Sequence, residues 1–185
     1  MFTAFASMTI KSPVGDLKLV ASATALVAVL WADEGLFAGA TEDRDHPVLC
    51  RAEQQLAAYF VGTLKVFSLE LDFTGTDFQK SVWQALLTIP YGETRSYRDI
   101  AVQIGHPKAV RAVGGALGRN PISIIAPCHR VVGSGGKLTG FAGGLGAKAR
   151  LLELENAVIQ ARHDFRAPPL SPACLSPRSD LPLLY

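Results

Sequence analysis

The run Pro127-Cys128-His129-Arg130-Val131-Val132 places a thiol directly before an imidazole and a guanidinium directly after that. A thiol is a strong nucleophile only as thiolate, so a cysteine that reacts near neutral pH needs a proton acceptor and positive character close by. His129 and Arg130 are of the right types to supply both. Adjacency in sequence does not place them, because neighbouring side chains on a strand point to opposite faces. A turn at Pro127 would have to re-aim them. The same spelling also fits a buried cysteine acting as a small hydrophobe beside a hydrogen-bonded core histidine. Two further residues favour chemistry. Asn120 opens an Asn-Pro turn upstream, and Glu155 ends the helical stretch 147–155, from which a carboxylate can return to the imidazole.

The elements upstream read as a binding surface. Ser96-Tyr97-Arg98-Asp99 is an S-x-x-D capping box that opens a helix through Ile104, Gly105-His106 makes a turn, and Pro107 fits the first position of a second helix. Two short helices joined by a glycine turn read as helix-turn-helix. The second helix carries Ala109, Ala112, Gly114, Gly115 and Ala116, which leave its surface nearly bare at a cost in helix propensity. Such a face admits close backbone approach, either by a neighbouring helix in the core or by a partner outside.

Taken together, Tyr91-Gly92-Glu93-Thr94-Arg95-Ser96-Tyr97, Pro107-Lys108-Ala109-Val110-Arg111-Ala112-Val113-Gly114-Gly115-Ala116, Asn120-Pro121, Pro127 to Val132 and Gly140-Phe141-Ala142-Gly143-Gly144 closely resemble the O6-alkylguanine-DNA alkyltransferases over residues 76–157. The resemblance implies direct-reversal DNA repair: an alkyl group moves irreversibly from guanine O6 to the protein's own cysteine, once per molecule and without cofactor. It makes Cys128 the acceptor, His129 a base acting through a bridging water, and Glu155 the group that orients the imidazole. Asn120 would brace the turn, and Tyr97 would donate its phenol proton to the flipped guanine. The carbonyls of Cys128 and Val131 would receive the guanine amine, with Phe141 and Ala142 as a lid. Some relatives carry Tyr-Ser where this chain has Phe141-Ala142. The backbone N–H at position 142 remains, but a hydroxyl is gone, which bears on substrate breadth. The bare helix, through Ala112, Gly114 and Gly115, would enter the minor groove of double-stranded DNA, with Arg111 filling the hole left by the extruded base. O4-alkylthymine is the second candidate substrate.

Other functions use the same residues differently. A thiol hydrolase would employ Cys128, His129 and Glu155 but leave the helix-turn-helix unexplained. A module that only recognises alkylated DNA would not need the cysteine, and an alkylation-sensing regulator would need a further domain.

Composition, with 49% hydrophobic and 18% charged residues, describes a globular chain with material for a core. The net charge of +2 is unevenly spread: residues 1–75 hold 5 Lys+Arg against 9 Asp+Glu, residues 76–158 hold 10 against 5, and the remainder 3 against 2. Positive charge thus lies where the motifs lie, and phosphate attraction depends on that local charge. Cys50, Cys128 and Cys174 form no CxxC pair, which argues against a disulfide framework and fits a reducing cytoplasm. His46 with Cys50 is the one near-metal spacing, and two ligands do not make a zinc site, so no metal is expected. No signal peptide is read, and the apolar run 21–32 is too short to span a bilayer. A cytoplasmic monomer without membrane contact is expected.

The fold these patterns imply is α+β. Residues 1–75 read as a small α/β domain, with an antiparallel meander over Thr9–Ser12, Leu17–Ala21 and Ala25–Trp31, a helix over 47–61 and a further strand over Val66–Phe73. Residues 76–158 read as a mainly helical domain that begins with a helix over Asp77–Leu87 and holds the helix-turn-helix and Cys128. Residues 159–185, with five prolines, read as an extended or disordered tail.

Overall fold

Alternating apolar residues and the turn Pro13-Val14-Gly15-Asp16 fold the N-terminal residues into a meander. The computed structural model describes residues 5–31, 37 and 39–157, so the expected tail at 159–185 lies outside the described residues. Strands β1 (Ala6–Ile10), β2 (Leu17–Ala21) and β3 (Leu26–Trp31) pair antiparallel as expected, and β4 (Thr41–Glu42) adds in parallel to β1, giving the order β3-β2-β1-β4. Helix α1 (Pro47–Phe60) has Pro47 in its first turn, where the missing N–H costs no bond. It buries Leu49, Ala52, Leu56, Tyr59 and Phe60, in a core shared with β1, β2 and β3. Each such large apolar side chain contributes roughly 1.5–3 kcal/mol when fully buried.

The expected strand over Val66–Phe73 is corrected. Its alternation is real, since Phe67, Leu69, Leu71 and Phe73 pack against the core, but the segment forms only an isolated bridge, Leu26 to Leu71. Gln55 on α1 supplies a second set of partners: its amide accepts from Ser68 N at 2.8 Å and donates to Ser68 O at 2.9 Å. A side chain thus takes the place of a neighbouring strand. Cys128 keeps a free thiol.

The helical part opens with α2 (Asp77–Leu86), whose Thr76–Gln79 capping box is complete in both directions. Val82, Trp83 and Leu86 face inward, and Trp83 Nε1 donates to Ala116 O at 2.9 Å. Strand β5 (Arg95–Ser96) leads into α3 (Tyr97–Gln103), where Ser96 and Asp99 form the expected capping box. Gly105, at φ +77°, ends that helix in the left-handed conformation. The second helix, α4 (Val110–Leu117), starts three residues beyond Pro107. Pro107 sits instead inside a turn closed by Ala109 N donating to His106 O at 2.8 Å. Downstream, β6 (Val131–Val132) pairs in parallel with β5, and α5 (Gly144–Ala157) closes the described chain.

Candidate active site

Cys128 and His129 lie on one 3₁₀ turn, Cys128–Arg130, and the approach to it is a set of tight turns. Asn120 Nδ2 donates to Ala126 O at 2.8 Å, and Asn120 Oδ1 accepts from Ile122 N at 3.1 Å. One amide therefore closes both ends of the loop. Inside this loop Ile124, fully buried, has φ +72°. A β-branched residue rarely takes the left-handed region, and holding it there costs on the order of 1–3 kcal/mol. The N-terminal sheet helps to offset this cost: β3 grips the loop through Val29 N donating to Pro121 O at 2.8 Å and Ser123 N donating to Val29 O at 3.1 Å.

Glu155, on α5, gathers the charged groups behind the turn. Its Oε1 lies 2.7 Å from His129 Nε2 and accepts from Tyr59 Oη at 2.7 Å. Arg130 grips the carboxylate as a fork, with Nε 2.9 Å from Oε2 and Nη2 2.9 Å from Oε1, while its Nη1 donates to Ile89 O. Gly92, in a left-handed turn at φ +78°, donates its N–H to Oε2 at 3.1 Å. Arg130 therefore neutralises Glu155 and does not serve the thiol directly, which corrects the role its position beside His129 suggested. Tyr59 carried no chemical signal in the sequence beyond being a core residue of α1.

These contacts set the protonation states. Burial opposes ionisation of Glu155, but the hydrogen bonds and charges of His129 and Arg130 outweigh it and hold the pKa at about 2. An ionised carboxylate only accepts, so Nε2 of His129 carries the proton and Nδ1 presents a lone pair. That Nδ1 is buried and has no hydrogen-bond partner among the described residues. Burial lowers the His129 pKa against the opposing pull of Glu155, so the ring is a neutral base at neutral pH. Burial raises the Cys128 pKa, opposed by hydrogen bonds from Asn120 and Ser123 and by the charge of Lys148. The resting group is a thiol, and it must be deprotonated as it reacts.

The space around the thiol is bounded by β6, α3 and the segment before α5. The β5–β6 pairing sets Ser96 against Val132 and so holds the start of α3 beside the cysteine turn. Tyr97 Oη accepts from Thr139 Oγ1 at 3.0 Å. Lys148, fully buried, donates to Val131 O at 2.6 Å and Thr139 O at 2.8 Å. The Val131 carbonyl is thus already engaged on one lone pair, and its second remains for another donor. Phe141 packs edge-on against Trp31 of β3, at 5.2 Å, and faces the His129 ring at 6.5 Å. A Cβ at Gly143 would collide with the same Trp31 indole, so only glycine fits there. Ala142 is exposed beside them.

On α4, Arg111, Ala112 and Gly115 are exposed, while Val113, Ala116 and Leu117 face the core. Internal packing does not demand the two glycines. A Cβ at Gly114 would meet the Tyr97 ring at 3.7 Å, an ordinary contact, and one at Gly115 would lie 3.9 Å from Arg119. Each glycine costs a helix about 1 kcal/mol relative to alanine, and packing among the described residues does not account for that cost.

Two family profiles cover nearly all the described chain: "6-O-methylguanine DNA methyltransferase, DNA binding domain" over residues 77–157, and "6-O-methylguanine DNA methyltransferase, ribonuclease-like domain" over residues 7–73. The chain belongs to the 6-O-methylguanine DNA methyltransferase family. Among this family's curated members, the methylated-DNA–protein-cysteine methyltransferase of Mycobacterium tuberculosis is 53% identical over 150 residues, 80% of this chain and 91% of the relative. The solved O6-methylguanine methyltransferase of M. tuberculosis superposes with a TM-score of 0.78 at 50% identity, covering 86% of this chain and 96% of that one. The M. tuberculosis protein solved in complex with DNA gives 0.77 at 51% identity, covering 83% and 93%. Membership identifies this chain as a DNA-repair methyltransferase of the methylated-DNA–protein-cysteine type, with the α+β fold expected of it.

Of the methyltransferase residues expected from sequence, the structure brings Cys128, His129, Asn120 and Glu155 to one buried cluster, and Tyr97, Val131 and Phe141 to its border. Arg111, Ala112 and Gly115 face solvent on α4. Tyr59, Trp31 and Lys148 are additions. Lys148 had a possible signal, a lysine on the inner side of an otherwise apolar helical stretch.

Proposed function

We propose that Cys128 is the alkyl acceptor, with His129 as its base. The observation that carries this reading is the neutral imidazole on the same turn as the thiol, its Nε2–H fixed by Glu155 and its buried Nδ1 left unpartnered among the described residues. The thiol proton passes to Nδ1 through a bridging water as sulfur attacks the alkyl carbon. The S–C bond forms, the C–O6 bond breaks, and the electron pair moves into the purine, which Tyr97 stabilises by donating its phenol proton. Imidazolium formation beside Glu155 is favourable because the carboxylate stays ionised. No cofactor enters this scheme.

The substrate is O6-alkylguanine in duplex DNA, with O4-alkylthymine as the second candidate. A base within a stack is out of reach, so it must be flipped, at a cost of a few kcal/mol. The exposed α4 face enters the minor groove, where Arg111 occupies the vacated position, and the absence of large side chains at Ala112, Gly114 and Gly115 permits the approach. Val131, Phe141 and Ala142 line the pocket for the extruded base. The protein acts as a monomer in the cytoplasm, where its DNA lies and Cys128 stays reduced. Domain boundaries near residues 75 and 158 fit the two profile matches, which end at 73 and begin again at 77.

A recognition-only module would bind without reacting, and a base poised beside an intact thiol has no use in such a protein. Mass spectrometry after mixing with a duplex bearing one O6-methylguanine distinguishes the two. The expected result is one methyl group per protein, confined to the Cys128 peptide, with guanine restored. Unmodified protein on unchanged DNA would establish recognition alone.

A further inference from the structure

We propose that Tyr59, contributed by the N-terminal domain, is a positioning residue for the proton transfer, setting through Glu155 how strongly His129 draws the proton from Cys128. This inference rests on the reading of His129 as the base. Tyr59 is fully buried on α1, and its hydroxyl donates to Glu155 Oε1, the same oxygen that receives His129 Nε2 at 2.7 Å. The hydroxyl also lies 3.5 Å from Nε2 itself. Packing does not require that oxygen. The ring is held by Phe60 and Phe67 at 5.4 Å and by Tyr91 at 6.0 Å, contacts a phenylalanine would keep. A buried hydroxyl is tolerated only with a partner, and here the partner is the carboxylate that orients the base.

The titratable and charged groups acting on His129 are Arg130 from its own turn, Glu155 and Lys148 from α5 and Tyr59 from α1, with Tyr91 acting on Glu155 from the segment before β5. Arg130 anchors the carboxylate as a whole, but Tyr59 competes with His129 for one oxygen. Burial first, and the Glu155 charge second, hold the Tyr59 phenol well above its ordinary pKa, so it remains a donor wherever His129 works. Losing that donor leaves Oε1 a stronger acceptor for Nε2–H, which favours the protonated imidazole.

The experiment is the pH dependence of single-turnover methyl transfer from an O6-methylguanine duplex, for the wild type, His129→Gln, Tyr59→Phe and protein carrying 3-fluorotyrosine at position 59. The wild-type rate rises with pH as His129 loses its proton, and that limb is absent in His129→Gln. In Tyr59→Phe the limb moves to higher pH by about one to two units, the size expected for loss of one hydrogen bond to a charged group, with duplex affinity unchanged. The more acidic fluorophenol keeps the fold and moves the limb the other way. A limb that stays in place in both Tyr59 proteins overturns the role of Tyr59, as does a loss of duplex affinity without a shift. A wild type without a His129-dependent limb overturns the base reading instead.

Discussion

The helical domain holds the reacting atoms and the motif that announces them, whereas the N-terminal sheet domain has no motif and yet reaches the same site at three points. Val29 on β3 fixes the loop that leads to Cys128, Trp31 backs Phe141, and Tyr59 on α1 bonds Glu155. The charges differ as well, with the acidic excess in residues 1–75 and the basic excess in residues 76–158. One region matches the DNA-binding profile and carries the proposed reacting groups, and the other braces the turn and the carboxylate behind them. Residues that react are restricted to a few types at fixed spacing. Residues that position them are ordinary core residues and carry no signature.

The largest expected effect lies wholly in the helical domain. Cys128→Ala abolishes transfer while retaining binding to an alkylated duplex, read by single-turnover assay and gel shift. Full transfer in that variant would move the acceptor elsewhere. Next is the shared cluster: Glu155→Gln leaves the Arg130 guanidinium buried and uncompensated, which costs about 3–5 kcal/mol, and it also slows transfer. Its pH signature has a definite sign. Glu155 titrates at about 2 in the folded protein against an ordinary 4.5, so its contribution is complete above 4.5 and is lost as the pH falls toward 2. His129, whose folded pKa is lowered from 6.5, adds stability that is present above that value and declines as the pH falls below it. Denaturant melts of wild type and variant between pH 7 and 3 should therefore converge as the medium becomes acidic.

Smaller effects separate DNA handling from chemistry. Arg111→Ala is expected to slow repair of duplex by roughly ten-fold or more, given the few kcal/mol that flipping costs, and to leave attack on free O6-alkylguanine base nearly unchanged. Equal losses on both substrates would contradict a role in extrusion. The smallest is Gly115→Ala, which adds up to about 1 kcal/mol of stability through helix propensity while weakening duplex binding. A variant that is stabilised and binds normally would remove the argument that the bare face of α4 is kept for DNA.

Legibility followed the same division. Cys128, His129 and Glu155 stood out as candidates because their types and order are restricted, and the Ser96–Asp99 capping box marked the start of α3, whereas the Thr76–Gln79 box that opens α2 was not read. Pro107 misled because a proline suits a turn as well as a first helical position, and the His106–Ala109 turn claimed it. The segment 66–73 misled because alternation reports which side chains turn inward, not whether a neighbouring strand completes the backbone bonds. Arg130 was read as support for the thiol because adjacency in sequence says nothing of the fork it forms with a carboxylate 25 residues away. The positive φ of Ile124 had no signal at all, since nothing local favours it and the strain is held by tertiary contacts.

In the proposed mechanism Cys128 rests as a thiol and is deprotonated in place by His129. The most direct test is a pH titration of thiolate ultraviolet absorbance in the DNA-free protein, with Cys128→Ala as the blank. The expected result is no Cys128 thiolate at neutral pH and a midpoint above the ordinary cysteine value of about 8.5. A midpoint below neutrality would mean a preformed thiolate, and the base role of His129 would fall with it.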